Sequence, residues 1–313
     1  MHEHYEDCPW REQALYTMDS RNQMLCGYYA FGEYDFPKAC LRLISKEKRE
    51  DSLLSICFPA GTELTIPSFG FHFFTEVYEY YKYSNDLSFI KELFPRMQSL
   101  INAYISYVNL DGLLYTFEGD LYWNFYEWAD GLEGCLGKTE NKRVDLILNC
   151  LFSIALSKMS YFCNLLNFEN DYFDMANKTN EKIKAMFYNK SKKAFSMYAD
   201  VELFSELGNS LAVLCGAANE DISNELCDKL VEETRWTPIT LSMKCFKYDA
   251  LLKINKDKYK DYIISDIKKV YQPMIENGNT VWETIKGQSD FNNAGSLCHG
   301  WSALPVYYFN ILK

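Results

Sequence analysis

Nothing in this 313-residue chain is patterned for nucleic acid or for a bilayer. Basic residues are in deficit, 32 Lys and Arg against 43 Asp and Glu, giving a formal net charge of −11 with no basic run. The electrostatic footprint of a nucleic-acid binder is therefore missing. On a first reading no apolar stretch reaches the ~18–20 residues that cross a membrane, and Met1-His2-Glu3-His4-Tyr5-Glu6-Asp7 does not read as a signal peptide. No membrane partner is expected. The 11 cysteines have no repeated spacing and never form Cys-x-x-Cys. That excludes a patterned disulfide framework and points to reduced, mostly buried thiols in a cytoplasmic protein. His2 and His4, two apart with no further ligand cluster, give no metal site, and no cofactor is expected. Without a Gly/Ser/Pro-rich linker, a low-complexity tract or a break in composition, residues 1–313 read as one domain.

What is present is apolar and aromatic. The chain is 48% hydrophobic and 16% aromatic, with 24 Tyr and 21 Phe, enough for a large core. Most aromatics fill such a core, but they also offer flat faces on which sugar rings stack. Apolar positions such as Ile147, Leu151, Ile154, Ala155, Phe162 and Leu165 recur at helical spacing. Similar patterns predict helices over roughly 10–30, 36–48, 69–83, 87–108, 145–166, 169–188, 206–218, 220–234, 238–253, 258–276 and 293–312. Strand-like pieces are short: 113–117, 194–198 and 280–282. The expected class is all-α.

Six polar or aromatic loops each precede an apolar helix, at 7–12, 58–69, 120–131, 199–209, 236–241 and 282–296. Antiparallel helix pairs arranged in a ring would bring these loops to one rim, with the exposed N–H groups of the inner helices beside them. An open α-solenoid or irregular bundle accounts for the helices but not for the Trp and acidic residues gathered in the loops.

Two clusters at opposite ends of the chain carry the candidate chemistry. In Asp7-Cys8-Pro9-Trp10-Arg11-Glu12, Pro9 has the position of a helix-start proline after an Asp7 or Cys8 cap. A helix from there would put Glu12 and Asp19 two turns apart on one face. Near the other end are Trp282-Glu283 and Ser296-Leu297-Cys298-His299-Gly300-Trp301-Ser302, with His299 expected on the last helix. Between them, Trp123 and Trp128 share the loop at 120–131 with several carboxylates, a mix suited to stacking on a sugar and bonding its hydroxyls. Glycoside hydrolysis needs two carboxyl groups, about 6.5–9.5 Å apart in the inverting version, and distant loops across a rim can supply them.

Together and in this order, Asp-Cys-Pro-Trp-Arg-Glu at 7–12 with Asp19, Trp-Asn-Phe-Tyr-Glu-Trp-Ala-Asp-Gly at 123–131, Trp282-Glu283, and Gly-Ser-Leu-Cys-His-Gly-Trp-Ser at 295–302 resemble the α-L-rhamnosidases, family 78 of the glycoside hydrolases. The similarity runs from about residue 7 to 310. It implies an (α/α)6 six-hairpin barrel and inverting hydrolysis of terminal α-L-rhamnosyl residues from a rhamnose-containing glycoside or oligosaccharide. By motif position Glu12 would be the general acid and Glu283 the general base. Asp7, Arg11 and Asp19 would hold rhamnose hydroxyls, and Trp123, Trp128, Trp282 and His299 would contact the sugar. Many members read Arg-Asp-Glu-Arg where this chain has Arg11-Glu12-Gln13-Ala14. Alignment on Asp19 keeps Glu12 as the acid behind a one-residue deletion, whereas alignment on Asp7 would put Gln13 there and leave the site inactive. Family members also carry β-sandwich domains and a helix upstream of the Asp-Cys-Pro motif. The resemblance is thus to a catalytic domain without accessories, lacking its first helix. A six-hairpin glycosidase for another sugar and a non-catalytic or vestigial sugar-binding domain are the competing readings.

Overall fold

In a computed structural model that describes residues 3–46, 49–59, 61–138, 140–232 and 235–313, the helices close into a ring; His2 lies outside these segments. The inner wall is made by α1 (Thr17–Ala30), α3 (Pro67–Ser84), α5 (Leu146–Leu166), α7 (Glu206–Cys215), the first part of α9 (Lys244–Asn277) and α11 (Pro305–Ile311). Each packs on the next, and α11 returns to α1. Outside lie α2 (Asp35–Lys46), α4 (Leu87–Ile105), α6 (Tyr172–Phe187), α8 (Glu220–Val231) and the second part of α9. This is an (α/α)6 barrel. Among the described residues no outer helix covers the seam between α11 and α1, where the first helix was expected to be missing.

Residue chemistry separates the two layers. Outer helices bury one stripe, such as Cys40, Leu41 and Ile44 on α2, and leave the other side in water. Inner helices are buried on most sides; α5 buries Leu146 through Ser153 without a gap. That 21-residue helix is long and apolar enough to span a bilayer, contrary to the first reading of the sequence, but 78% of its apolar window is buried inside the protein. Core helices of large rings meet the same criterion because both faces are covered. In α9 the chain reverses at Asn255 (φ −159°, ψ 97°), whose side chain accepts from Lys258 N–H at 3.0 Å and caps the return. The two parts then join through Lys244 and Tyr248 to Asp266, both at 2.6 Å.

Several expected boundaries move. The first helix begins at Thr17, not near residue 10, because Gln13 turns with φ +54°. Asp7 N–H donates to Ala14 O at 2.9 Å and Asp7 Oδ1 accepts from Ala14 N–H at 2.7 Å, closing residues 7–14 into a loop. Glu12 and Asp19 therefore do not share a helix face. Residues 293–304 are not a continuous helix: α10 (Asp290–Asn293) contains left-handed residues, a 3-10 turn spans Gly300–Ser302, and His299 sits in extended backbone before it. Among the described residues, strand content is a two-residue hairpin, Tyr188–Asn189 with Ala194–Phe195, plus isolated bridges.

The loops expected on one rim are linked to one another. Leu15 pairs with Phe58, Thr65 with Tyr122 and Ser205 with Thr237, while Gly300 N–H donates to Asp7 O at 2.6 Å. Asp145 and Ser205 cap α5 and α7 from this rim. Below it, the buried Arg21 of α1 pairs with Glu79 of α3 at 2.6 Å and Asp249 of α9 at 3.2 Å. Across the rim, buried Glu127 takes the N–H and hydroxyl of Thr240 on Oε2, at 2.7 and 2.8 Å, while its Oε1 has no partner.

Burial pushes the Glu127 carboxyl up to about 7, with the Thr240 hydrogen bonds opposing the shift. Its folded pKa thus lies above the unfolded value of about 4.3, so its contribution to stability is full below about pH 4 and is lost as pH rises to 7. Gln at this position keeps an acceptor for Thr240 and carries no charge. Glu127→Gln is expected to gain on wild type by ~2–3 kcal/mol between pH 5 and pH 8, read from urea unfolding at each pH. A pH-independent difference would show that Glu127 does not titrate in this window.

Candidate active site

Where the ring closes, the N-terminal loop and the last loops share one pocket lined by Asp7, Arg11, Glu12, Tyr16, Asp19, Ile66, Phe69, Trp123, Phe125, Trp128, Glu283, His299 and Trp301, with about 450 Å³ of open space. This brings together every residue expected at the site except Trp282. Gln13 faces away, donating from its side chain to Pro9 O at 2.9 Å, so Glu12 rather than Gln13 is the residue presented to the pocket. Trp10 is 89% exposed and is not among the lining residues.

Local backbone pairing fixes each end. Glu283 N–H donates to Ser296 O at 2.9 Å, and Ser296 N–H donates to Glu283 Oε2 at 2.8 Å. The indole N–H of Trp301 holds Glu283 O at 2.8 Å. Glu283 enters the pocket while Trp282 does not line it and packs instead on the other side, its ring so close to Gly287 that a Cβ there would lie 2.9 Å from it. His299 is held by its N–H to Val281 O at 2.9 Å, and its ring stacks on Trp301 at 4.0 Å. Gly300 must be glycine: an added Cβ would stand 2.9 Å from the backbone oxygen of Glu6 and closer still to Gln23.

The floor is buried and under-satisfied. Asp7, Asp19 and His299 are 1–3% exposed, and Asp7 Oδ2, Asp19 Oδ1 and His299 Nδ1 have no hydrogen-bond partner in the protein. The imidazole stands 3.7 Å from Asp7 and 3.6 Å from Asp19, beyond hydrogen-bond length. Burial raises the Asp7 carboxyl, and burial with the neighbouring Asp7 and Glu12 raises Asp19 well above the usual range. Buried polar atoms left unmatched are costly. A polyhydroxylated ligand supplies the donors and acceptors that the floor lacks.

The mouth differs. Glu12 is 41% exposed in its side chain and accepts from Tyr16 O–H at 2.8 Å. Tyr16, four residues on, was not anticipated from sequence. Arg11 reaches Glu283 Oε1 at 2.6 Å, Ala294 O at 2.7 Å and Glu12 at 3.6 Å. Because the nitrogens of one planar guanidinium are about 2.3 Å apart, the two carboxylate oxygens it touches lie within about 8.5 Å of each other. One wall is aromatic: Trp128, 38% exposed, stands edge-on to Phe125 at 4.9 Å and to Trp123 at 5.8 Å. Trp123 is tied down by its indole N–H to Glu133 O at 2.8 Å.

Burial, with Arg11 nearby, lowers the His299 pKa from 6.5 to about 3. A depressed histidine is neutral in the folded protein while the unfolded chain takes up a proton below about pH 6.5, so this residue's contribution is lost as pH falls from there toward 3. Imidazole resonances assigned by comparison with His299→Asn are expected to stay in the neutral position from pH 8 to pH 5. A midpoint near 6.5 would contradict the buried floor.

The fold is shared with solved structures. The chain superposes on the GH78 family rhamnosidase of Bacillus sp. GL1 with a TM-score of 0.87 and 24% identity, covering 98% of this chain and 32% of that one. It also matches the Klebsiella oxytoca rhamnosidase with rhamnose bound, at a TM-score of 0.83 and 20% identity over 98% and 60% of the two chains. The GH63 mannosylglycerate hydrolase of Thermus thermophilus follows at 0.69 and 11%, covering 98% and 96%. The chain spans about a third of the length of the Bacillus protein. No curated protein sequence matches it. The model of the bacterial alpha-L-rhamnosidase six-hairpin glycosidase domain matches residues 1–311, and the chain belongs to that family.

Proposed function

We propose that this domain hydrolyses terminal α-L-rhamnosides with inversion, Glu12 acting as general acid and Glu283 as general base. The observation that carries the proposal is the pair of carboxylates held by one guanidinium over a floor of unpartnered Asp7, Asp19 and His299 atoms. The family membership and the rhamnose in the Klebsiella relative support the choice of sugar. A separation of up to about 8.5 Å is compatible with the inverting range of about 6.5–9.5 Å.

The residues divide the work by depth. Asp7, Asp19 and His299 take the sugar hydroxyls at the buried floor, and Trp128 offers a flat face at the side. Glu12 sits at the mouth, where a departing group leaves toward solvent, and its hydrogen bond from Tyr16 orients it toward the glycosidic oxygen. Glu283 is fixed by Arg11 and by Ser296 N–H, one donor on each oxygen. Each oxygen keeps a further lone pair to accept from an attacking water.

With p-nitrophenyl α-L-rhamnoside and a rhamnosyl disaccharide as substrates, Glu12→Gln and Glu283→Gln are each expected to lose about 10²-fold or more in rate. The Glu12 variant should lose most on the disaccharide, whose leaving group needs a proton, and the Glu283 variant should lose on both. Proton NMR at early times should show β-L-rhamnose as the first product. Wild-type protein that binds rhamnose without turning over either substrate would make this a sugar-binding domain instead.

Trp128→Ala is expected to weaken rhamnose affinity about tenfold, a change of ~1.4 kcal/mol, with the melting temperature nearly unchanged because the ring is half exposed. Trp123→Ala should lower the melting temperature, since it removes a packed indole and its hydrogen bond to Glu133. Calorimetry with rhamnose and thermal melts separate the two; equal effects of both variants on affinity and melting would refute the division.

A further inference from the structure

Beside the mouth, residues 291–293 run through three consecutive left-handed conformations, Phe291 at φ +50°, Asn292 at +57° and Asn293 at +68°. Asparagine tolerates this region through its short polar side chain. A bulky residue does not, because its Cβ crowds the backbone. Glycine would relieve Phe291, yet an aromatic stands there, and a residue kept in a disfavoured conformation beside a pocket calls for a use of its side chain. The turn is anchored at both ends. Asp290 accepts from Phe291 N–H at 3.0 Å and from the Thr284 hydroxyl at 2.8 Å. Gly295 packs so tightly on Gly287 that a Cβ would lie 2.2 Å from its oxygen.

The ring this turn presents touches two pocket-lining residues. Phe291 meets Trp128 edge-on at 5.1 Å and lies 5.7 Å from the Arg11 guanidinium carbon. It thereby extends the Trp123–Phe125–Trp128 wall outward, past the residue next to Glu12. With the floor buried and Glu12 at the exposed mouth, this ring stands on the Arg11 and Trp128 side of the opening through which a group attached to the sugar would leave. Arg11 is already engaged by Glu283 and Ala294 O, so the surface offered to that group is chiefly an aromatic one.

We propose that Phe291 is a specificity-determining residue, the wall of the leaving-group side of the pocket, and that it selects rhamnosides whose leaving group presents a flat aromatic face. The proposal rests on the rhamnosidase reading. It adds what the left-handed turn is for.

The test compares Phe291→Ala, Phe291→Leu and Phe291→Tyr with wild type on p-nitrophenyl and methyl α-L-rhamnoside, with thermal melts to confirm folding. Loss of the flat ring in the Ala and Leu variants should lower kcat/KM on the aryl substrate about fivefold or more and change the methyl substrate by less than about twofold, while Tyr restores the wild-type ratio. The Leu variant retains bulk and stands in if Ala does not fold. Equal losses on both substrates, or none, would overturn the proposal. Should wild type turn over neither substrate, the catalytic reading fails by itself. Calorimetry then decides the present one: phenyl α-L-rhamnoside must bind wild type more tightly than rhamnose does, and that preference must vanish in Phe291→Leu.

Discussion

The guanidinium of Arg11 meets Glu283 at 2.6 Å across 272 residues of sequence, and the pocket exists only where that contact can form. Helices α1 and α11 must lie side by side to bring the N-terminal loop against the segment around Glu283. The seam is then closed by backbone, with Gly300 N–H on Asp7 O, while Ser296 fixes Glu283 on its own side of it. Anything that opened the ring between α11 and α1 would separate the two carboxylates and leave a desolvated Glu283 without its cation, the costly half of a broken buried pair.

The site and the barrel divide the electrostatic strain between them. Lower in the ring, Arg21 satisfies Glu79 and Asp249 and ties three inner helices together. At the rim the balance is left incomplete. Asp7, Asp19 and His299 keep buried atoms that no protein group answers, and Phe291 keeps a left-handed backbone that its neighbours hold in place. Both are departures from a locally optimal sequence in or beside one pocket, and departures of that kind concentrate where a protein binds something. The rest of the ring supplies the stability that tolerates them.

Depth organises the chemistry. The floor is buried and polar, one side is a run of aromatic rings, and Glu12 stands nearer solvent than the other acidic residues of the pocket. This gradient gives the proposed acid and base different surroundings. In the proposed reaction it also sets the side on which the leaving group would depart, past Arg11 and toward Phe291. Glu127, outside the pocket, joins the loop carrying Trp128 to the loop before α9, so the aromatic side is positioned by a buried carboxyl in a different electrostatic setting from the floor.

Helical periodicity placed most of the helices within a few residues, and the six loops ahead of the inner helices were legible because polar and aromatic residues interrupt apolar runs at each one. The Asp7-to-Glu12 and Trp282-to-Trp301 motifs likewise named nearly all of the pocket's polar residues. Local pattern could not show that residues 7–14 close on themselves, since that depends on Gln13 adopting a positive φ and on Asp7 pairing with Ala14. It could not show which way Trp282 points, which is decided by the pairing of its segment with residues 296–299. Tyr16 and Phe291 carried no signal strong enough to stand out among 24 Tyr and 21 Phe. The amino-acid sequence by itself determined the helices, the loops and the family, because spacing and motif order are local properties. Only the tertiary structure decided which carboxylate faces the pocket, which is buried and which is exposed, because burial and ion pairing depend on contacts made when residues hundreds of positions apart are brought across one seam.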